Sequence, residues 1–128
     1  MKTREEALAY GLSFPYTYKE APFHDQNWEL VRVHGSKKAF LWVYERNGYI
    51  NMNVKVNPEW RDFWRKAYPA VQPGYHQNKE HWNTIILDGT IPDDTIKDMI
   101  AESYALVCDK PAKRIYEAVK RIPKGMVA

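Results

Sequence analysis

Three consecutive segments rich in β-forming residues dominate the middle of the chain. They cover residues 28–34, 37–46 and 49–56, and the two-residue turns Gly35-Ser36 and Asn47-Gly48 separate them. Asn-Gly suits a type I′ hairpin turn because both central residues need a positive φ, and a leading glycine suits type II′. The pattern therefore predicts an antiparallel three-stranded meander.

The third segment alternates strictly between apolar and polar side chains. One face would carry Ile50, Met52, Val54 and Val56, and the other Tyr49, Asn51, Asn53 and Lys55. Such alternation is typical of a sheet with one buried face and one face in water. We therefore expect the polar face to be solvent-exposed and to offer a candidate surface for a peptide or a small ligand.

Two helix starts flank the meander. Thr3 followed by Glu6 has the form of a capping box, and Gly11 is expected to end this short first helix. Asn57 and Pro58 begin a second helix, with asparagine as the N-cap and proline at the first helical position.

The second helix, predicted to run to residue 67, carries an aromatic stripe. The apolar residues at i, i+3, i+4 and i+7 are Trp60, Phe63, Trp64 and Ala67, and the basic residues Arg61, Arg65 and Lys66 lie away from them. This spacing predicts that the stripe packs on the meander. If Trp60 is a core residue, Trp60→Ala should destabilise the domain by about 3 to 5 kcal/mol.

The remaining segments complete the predicted architecture. Residues 12–27 contain two prolines and predict an ordered loop, and residues 82–87 predict a strand with a short partner near residues 74–76. A third helix begins at Pro92, with an inward stripe made of Ile96, Met99, Ile100, Ser103 and Val107. The predicted order is α-β-β-β-α-β(β)-α, an α+β two-layer sandwich with an antiparallel sheet and helices on one face.

Charge is distributed unevenly along the 128 residues. Residues 1–109 carry 13 Lys and Arg against 15 Asp and Glu, whereas residues 110–128 carry six against one. We therefore expect one domain over residues 1–109 and a basic C-terminal extension over residues 110–128. Within this extension, residues 112–122 have the pattern of an amphipathic helix.

The sequence contains no apolar run of the roughly 18 residues that a membrane span requires, and its N-terminus lacks the apolar stretch of a secretory signal. The only cysteine, Cys108, has no partner for an internal disulfide, which agrees with a reducing compartment. We expect a soluble, cytoplasmic and monomeric protein.

Catalytic and cofactor-binding patterns are missing from the sequence. Ser13, Ser36, Ser103 and Cys108 lie in no nucleophile motif, and the six glycines form no phosphate-binding loop. His76 and His81 are five residues apart, but no Cys or carboxylate set completes a metal site around them. The sequence therefore favours a non-enzymatic protein with no cofactor and no metal.

A short segment concentrates aromatic, amide and cationic groups that can stack on bases or contact phosphates. Its candidate residues are Tyr75, His76, Asn78, Lys79, His81, Trp82 and Asn83. The same groups can instead hold a loop against a sheet. Further candidate phosphate contacts are Arg61 and Arg65 on the second helix and Lys113, Arg114, Lys120 and Arg121 in the extension, although a basic helix face is usually only solvated.

The segment over residues 68–84, with its Pro73-Gly74-Tyr75-His76 and His81-Trp82-Asn83-Thr84, resembles the signature of the MmcQ/YjbR family. The flanking residues 12–15, 21–23, 51–55, 88–89 and 91–93 extend the resemblance, which covers residues 5–108. It implies a secretion-chaperone-like α+β fold and non-catalytic DNA binding through a shape described as a double wing. His24 departs from the glycine usual in this family, and the basic extension lies outside the family pattern.

Three functional hypotheses follow from these observations. The first is a nucleic-acid-binding module, with DNA as partner, that uses residues 76–83 and the basic extension. The second is a protein-interaction or chaperone-like module that uses the open sheet face, and the third is a small-ligand domain that uses the His/Trp/Tyr cluster. Steep salt dependence of binding would distinguish the first from the second.

Overall fold

The computed structural model describes residues 1–108 and Glu117. In chain order the elements are α1 (Arg4–Leu12), β1 (Thr17–Glu20), β2 (Glu29–Val33), β3 (Ala39–Arg46), β4 (Tyr49–Lys55), α2 (Pro58–Ala67), β5 (Val71–Pro73), β6 (Trp82–Ile86) and α3 (Asp93–Val107). The strands form one antiparallel sheet in the order β1-β2-β3-β4-β6-β5. The predicted α+β class and antiparallel sheet are therefore confirmed.

The core lies between the sheet and a layer of helices on one of its faces. α1 packs on β1, β2 and β3, α3 on β3 and β4, and α2 on β5 and β6. The strand register brings Val43, Met52 and Ile85 side by side on this face, and all three are fully buried. We call this side of the sheet the helix face and the opposite side the outer face.

Several local predictions from the sequence are confirmed. Thr3 and Glu6 form both hydrogen bonds of the capping box, and the Asn57 side chain accepts from the backbone N–H of Glu59 at the start of α2. Asn47 and Gly48 both have positive φ, as a type I′ turn requires. The stripe predicted for α3 is buried.

The first connection of the meander differs from its prediction. β2 ends at Val33 and β3 begins at Ala39, so residues 34–38 form the turn in place of a two-residue Gly35-Ser36 hairpin. The backbone N–H of Val33 donates to the Lys38 carbonyl at 3.0 Å, which closes this longer loop.

The N-terminal region also corrects the sequence analysis. Residues 17–20 form β1, paired with β2, within a segment predicted to be only a loop. Gly11 lies inside α1 and does not end it, because α1 continues to Leu12. A Cβ at Gly11 would lie 2.7 Å from Leu41 Cδ2, so the glycine allows the helix to approach the sheet closely.

The middle of the polar face of β4 is buried, contrary to its prediction, although Tyr49 at one end of it is 50% exposed. Asn51 is 2% exposed and Asn53 is fully buried. The loop after β5 crosses the outer face here, where the Asn53 side-chain amide donates to the Tyr75 carbonyl at 2.7 Å. The sequence pattern was polar because these side chains hydrogen-bond within the protein.

The aromatic stripe of α2 was predicted to pack on the meander, but only Trp64 of its aromatic residues is partly buried against the core. Trp60 and Phe63 are each 51% exposed, no residue of α2 is buried, and the helix packs on β5 and β6. Periodicity showed that one side of the helix is apolar, but it could not show whether anything covers that side.

Apart from Glu117, the predicted helix over residues 112–122 lies outside the described residues, as do four candidate contacts, Lys113, Arg114, Lys120 and Arg121. Within the described part of the chain, no helix is both long enough and apolar enough to span a membrane.

Candidate functional site

Two adjoining pockets on the outer face form the candidate site, which we call the aromatic groove. The first has a volume of about 200 Å³ and is lined by Phe23, Trp28, Trp42, His76 and Gln77. The second, of about 240 Å³, shares Trp42 and Gln77 and is completed by Arg32, Lys38, Ala39, Lys55, Trp82 and Val107. Because two residues line both pockets, the pockets adjoin.

The strand register explains how distant residues meet in this groove. Trp42 of β3 lies opposite Leu30 of β2, and Lys55 of β4 lies opposite Trp82 of β6. Directly opposed residues of an antiparallel pair project to the same side of the sheet. Trp42, Lys55 and Trp82 therefore share the outer face and line the same pocket.

A stack of aromatic rings packs against Trp28, one of the residues that line the first pocket. The Trp28 ring stacks on Tyr44 with 3.9 Å between ring centroids, and the Tyr75 ring lies 5.8 Å from Tyr44. The guanidinium of Arg46 lies 4.0 Å from the centroid of the Tyr75 ring, in a cation–π contact. These contacts fix the orientation of Trp28, which lines the pocket.

Beneath this stack, the buried side chain of Asn53 holds three elements together. Its Oδ1 accepts hydrogen bonds from the hydroxyls of Tyr44 and Thr84, each at 2.7 Å. Its Nδ2 donates to the Tyr75 carbonyl, also at 2.7 Å, and the Tyr75 N–H donates to Thr84 Oγ1 at 2.8 Å. Burial raises the pKa of Tyr44 above its usual value, so the hydroxyl stays protonated as the donor.

The exposed rings of the first pocket come from two loops. His76 has a φ of 58° and places its ring 4.0 Å from the Tyr75 ring. Phe23 is 51% exposed and stacks on Trp42 with 6.2 Å between centroids and 24° between planes. Both residues therefore offer accessible aromatic faces at the opening of the groove.

The second pocket is lined by cations. Lys38 and Lys55 form no ion pair within residues 1–108, whereas Arg32 pairs with Glu20 at 3.2 Å. No carboxylate is among the described residues that line either pocket. The groove therefore combines aromatic faces with positive charge.

The comparisons with known proteins decide the family. A sequence model of the YjbR family matches residues 12–106. The chain belongs to the YjbR family. YbdF of Escherichia coli O157:H7 is 30% identical over 116 residues, which cover 91% of this chain and 93% of YbdF. YyaQ of Bacillus subtilis is 31% identical over 121 residues, which cover 83% of this chain and 98% of YyaQ. Both relatives are described as uncharacterised proteins, so they show the family but no activity.

Solved structures share the fold of this YjbR-family chain. A Deinococcus radiodurans protein with a DUF419 domain matches with a TM-score of 0.78 and 28% identity, over 96% of this chain and 91% of that one. A Pseudomonas syringae protein matches with a TM-score of 0.74 and 24% identity, over 83% and 99% of the two chains, and shows the fold alone.

The candidate residues predicted in the YjbR signature segment divide between the groove and the turn beside it. His76 and Trp82 line the groove, and Tyr75 supports it. Asn78 accepts from the Glu80 N–H at 2.8 Å within a turn. Lys79 Nζ donates to the Gly74 carbonyl at 3.2 Å. The exposed His81 is held in the turn by its backbone, which donates to Asn78 and accepts from Val56.

The structure places the two arginine candidates of α2 away from the groove. Arg65 donates to Asn83 Oδ1 at 2.8 Å, and Asn83 is buried on the helix face because it lies opposite Val54. Arg61 pairs with Asp62 at 3.1 Å and donates to the Glu80 carbonyl. Both guanidinium groups thus hold the turn over residues 79–83 against α2.

Sequence reasoning missed most of the groove. Phe23 comes from a loop, Trp28 directly precedes β2, and Trp42 lies in the middle of β3, so no local spacing connects them. The sequence pointed to the outer face through Lys55 on the polar face of β4 and through His76 and Trp82 in the signature segment. Among the described residues, no group of three or more His, Cys, Asp or Glu side chains could hold a metal ion.

Proposed function

We propose that this YjbR-family domain is a non-enzymatic DNA-binding protein whose contact surface is the aromatic groove. The observation that carries the proposal is the lining of that groove, where Trp42 and Trp82 lie beside Lys38 and Lys55 with no carboxylate among the described lining residues. Aromatic faces stack on bases and cations contact phosphates, so this combination suits a nucleic-acid strand.

The distribution of charge supports an anionic partner at this surface. Residues 1–109 carry a net charge of −2, from 13 cations and 15 anions, so the domain as a whole does not attract polyanions. The cations of the groove are therefore a local feature of one face. Nucleic acids bind such patches largely by releasing counterions from their phosphates.

The last described residues before the basic extension lie beside the groove. Val107 lines the second pocket, and its carbonyl accepts from the Ser36 hydroxyl at 3.3 Å. Residues 110–128, with six cations against one anion, follow three residues later. We therefore expect the cations of the extension to add to the phosphate contacts of Lys38 and Lys55.

Fluorescence anisotropy of labelled single-stranded and duplex DNA, titrated at several salt concentrations, tests the proposal. In the double variant Lys38→Gln/Lys55→Gln, the slope of log K against log salt should fall by about 1.4 for single strands, at about 0.7 per phosphate contact. The charge-matched control is Lys66→Gln/Lys97→Gln, which alters two cations of α2 and α3. No binding at low salt, or equal losses in both double variants, would refute the groove as a DNA surface.

A further inference from the structure

We propose that the first pocket of the groove receives one unpaired base, so that the domain binds single strands in preference to duplexes. This inference rests on the proposed function and specifies its ligand. We call the pocket lined by Phe23, Trp28, Trp42, His76 and Gln77 the base pocket.

The size of the base pocket fits a single base. Its volume of about 200 Å³ equals that of roughly seven water molecules at about 30 Å³ each. A nucleobase is of this size, whereas a base pair is about twice as large and keeps both faces covered by its neighbours in the duplex. Only a base without stacked neighbours can therefore place its face against the rings of the pocket.

The arrangement of the rings gives such a base faces to stack on. Phe23 and Trp42 lie nearly parallel, with 24° between planes, and Trp28 stands nearly perpendicular to both, at 90° and 78°. Trp28 is held in this orientation by its stack on Tyr44. Base–aromatic stacking tolerates any base because every base has a π-face. The affinity should therefore depend more on whether the DNA is single- or double-stranded than on its base sequence.

Polar groups at the pocket match the edge of a base. The Gln77 amide carries both a donor and an acceptor, and the His76 ring adds a nitrogen. The buried indole N–H of Trp42 has no acceptor among the described residues. Because this N–H is closed to solvent, the edge of a base would meet the Gln77 amide and the His76 ring instead.

The phosphates attached to the bound base have cations close by. The second pocket shares Trp42 and Gln77 with the base pocket and presents Lys38 and Lys55. Trp82 lies in that second pocket beside Lys55, its partner in the strand register, and offers a face for a neighbouring base. A strand that runs along the groove would thus meet both aromatic faces and cations.

Three labelled probes of the same strand length separate this inference from the proposed function. They are a ten-nucleotide oligothymidine, a ten-unit abasic strand with the same phosphates but no bases, and a ten-base-pair duplex. We expect oligothymidine to bind about tenfold more tightly than the abasic strand, as a single stacked base provides. We also expect it to bind more tightly than the duplex.

Phe23→Ala is the variant that tests the pocket, and Phe63→Ala is its matched control, since both phenylalanines are 51% exposed. Phe23→Ala should weaken oligothymidine binding about tenfold and leave the abasic strand unaffected, while Phe63→Ala changes neither. His76→Asn, which tolerates the positive φ at this position, is a second variant and should lower the preference for oligothymidine.

The outcomes distinguish the two proposals. Equal affinities for oligothymidine and the abasic strand, or a tighter complex with the duplex, overturn the base pocket and leave DNA binding by the groove in place. Equal effects of Phe23→Ala and Phe63→Ala also overturn the base pocket. No binding of any of the three probes at low salt overturns the proposed function as well.

Discussion

Replacing Asn53 by alanine tests how the outer face is held together. Asn53 is fully buried, and its side chain makes three hydrogen bonds of 2.7 Å, to Tyr44, Thr84 and the Tyr75 carbonyl. Truncation removes all three at once and leaves two buried hydroxyls and one carbonyl without these partners. The substitution therefore acts on the sheet and on the loop that forms one side of the groove.

The loss in the free energy of unfolding can be estimated from the groups that lose their hydrogen-bond partners. Each buried polar group left unsatisfied costs about 1–3 kcal/mol, but the two hydroxyls can rotate towards other acceptors. We therefore expect Asn53→Ala to lower the free energy of unfolding by about 3 to 5 kcal/mol. Tyr44→Phe removes one bond while the Asn53 oxygen keeps its bond from Thr84, so about 1 kcal/mol is expected.

Urea denaturation followed by far-UV circular dichroism measures these differences. With an m-value of about 1–3 kcal/mol per molar urea, Asn53→Ala should lower the midpoint by about 2 M. Asn78→Ala is the control, because that exposed asparagine makes only a local turn contact and should cost about 1 kcal/mol or less. Equal midpoints for Asn53→Ala and Asn78→Ala would refute the network as a source of stability.

Three further predictions concern other parts of the fold. Trp60→Ala should lower the free energy of unfolding by only about 1 kcal/mol in a urea titration, since half of the Trp60 side chain is already exposed; a loss above 3 kcal/mol would place it in the core. Gly11→Ala should lower the melting temperature by several degrees, because the new Cβ would lie 2.7 Å from the buried Leu41, and a higher melting temperature would mean that helix propensity outweighs this contact. Burial raises the pKa of Tyr44, so its contribution to stability is fully present below about pH 10 and is lost as the pH rises through the higher folded-state pKa. Urea midpoints from pH 8 to 11 should fall more steeply for the intact protein than for Tyr44→Phe, and parallel curves would contradict this assignment.

Local signals in the sequence predicted local structure well. The Asn47-Gly48 turn, the Thr3–Glu6 capping box and the Asn57 N-cap all depend on neighbouring residues, and all three are present. The buried stripe of α3 was also predicted, because its apolar residues recur at helical spacing and the helix covers the middle of the sheet.

Burial at long range could not be predicted in the same way. Asn53 looks like a solvent-facing residue in an alternating strand, and only the loop that crosses the sheet from Gly74 onwards makes it a core residue. Phe63 looks like a core residue in an amphipathic helix, yet α2 lies near the sheet edge, over β5 and β6, and leaves it exposed. In both cases the burial of the side chain depends on how segments that are distant in the sequence are arranged.

The candidate site likewise combines residues that the local sequence predicted with residues that only long-range contacts bring together. His76 and Trp82 were singled out because they lie in one short aromatic segment, and the structure places both in the groove. Trp28 and Trp42 join them only through strand pairing and the ring stack on Tyr44. Arg65 was a candidate by its charge, but its guanidinium bonds to Asn83 and to the turn beside it.

The five tryptophans provide the most direct test of the groove as a DNA surface. Trp28, Trp42 and Trp82 line the groove, whereas Trp60 and Trp64 lie on α2. Each indole N–H gives its own signal in a ¹H–¹⁵N correlation spectrum, and single Trp→Phe variants assign these signals.

Titration of the ¹⁵N-labelled protein with oligothymidine should shift the three groove signals together and leave the two α2 signals in place. Shifts confined to Trp60 and Trp64 would move the DNA contact to α2, and five unmoved signals at saturating DNA would contradict binding at the groove.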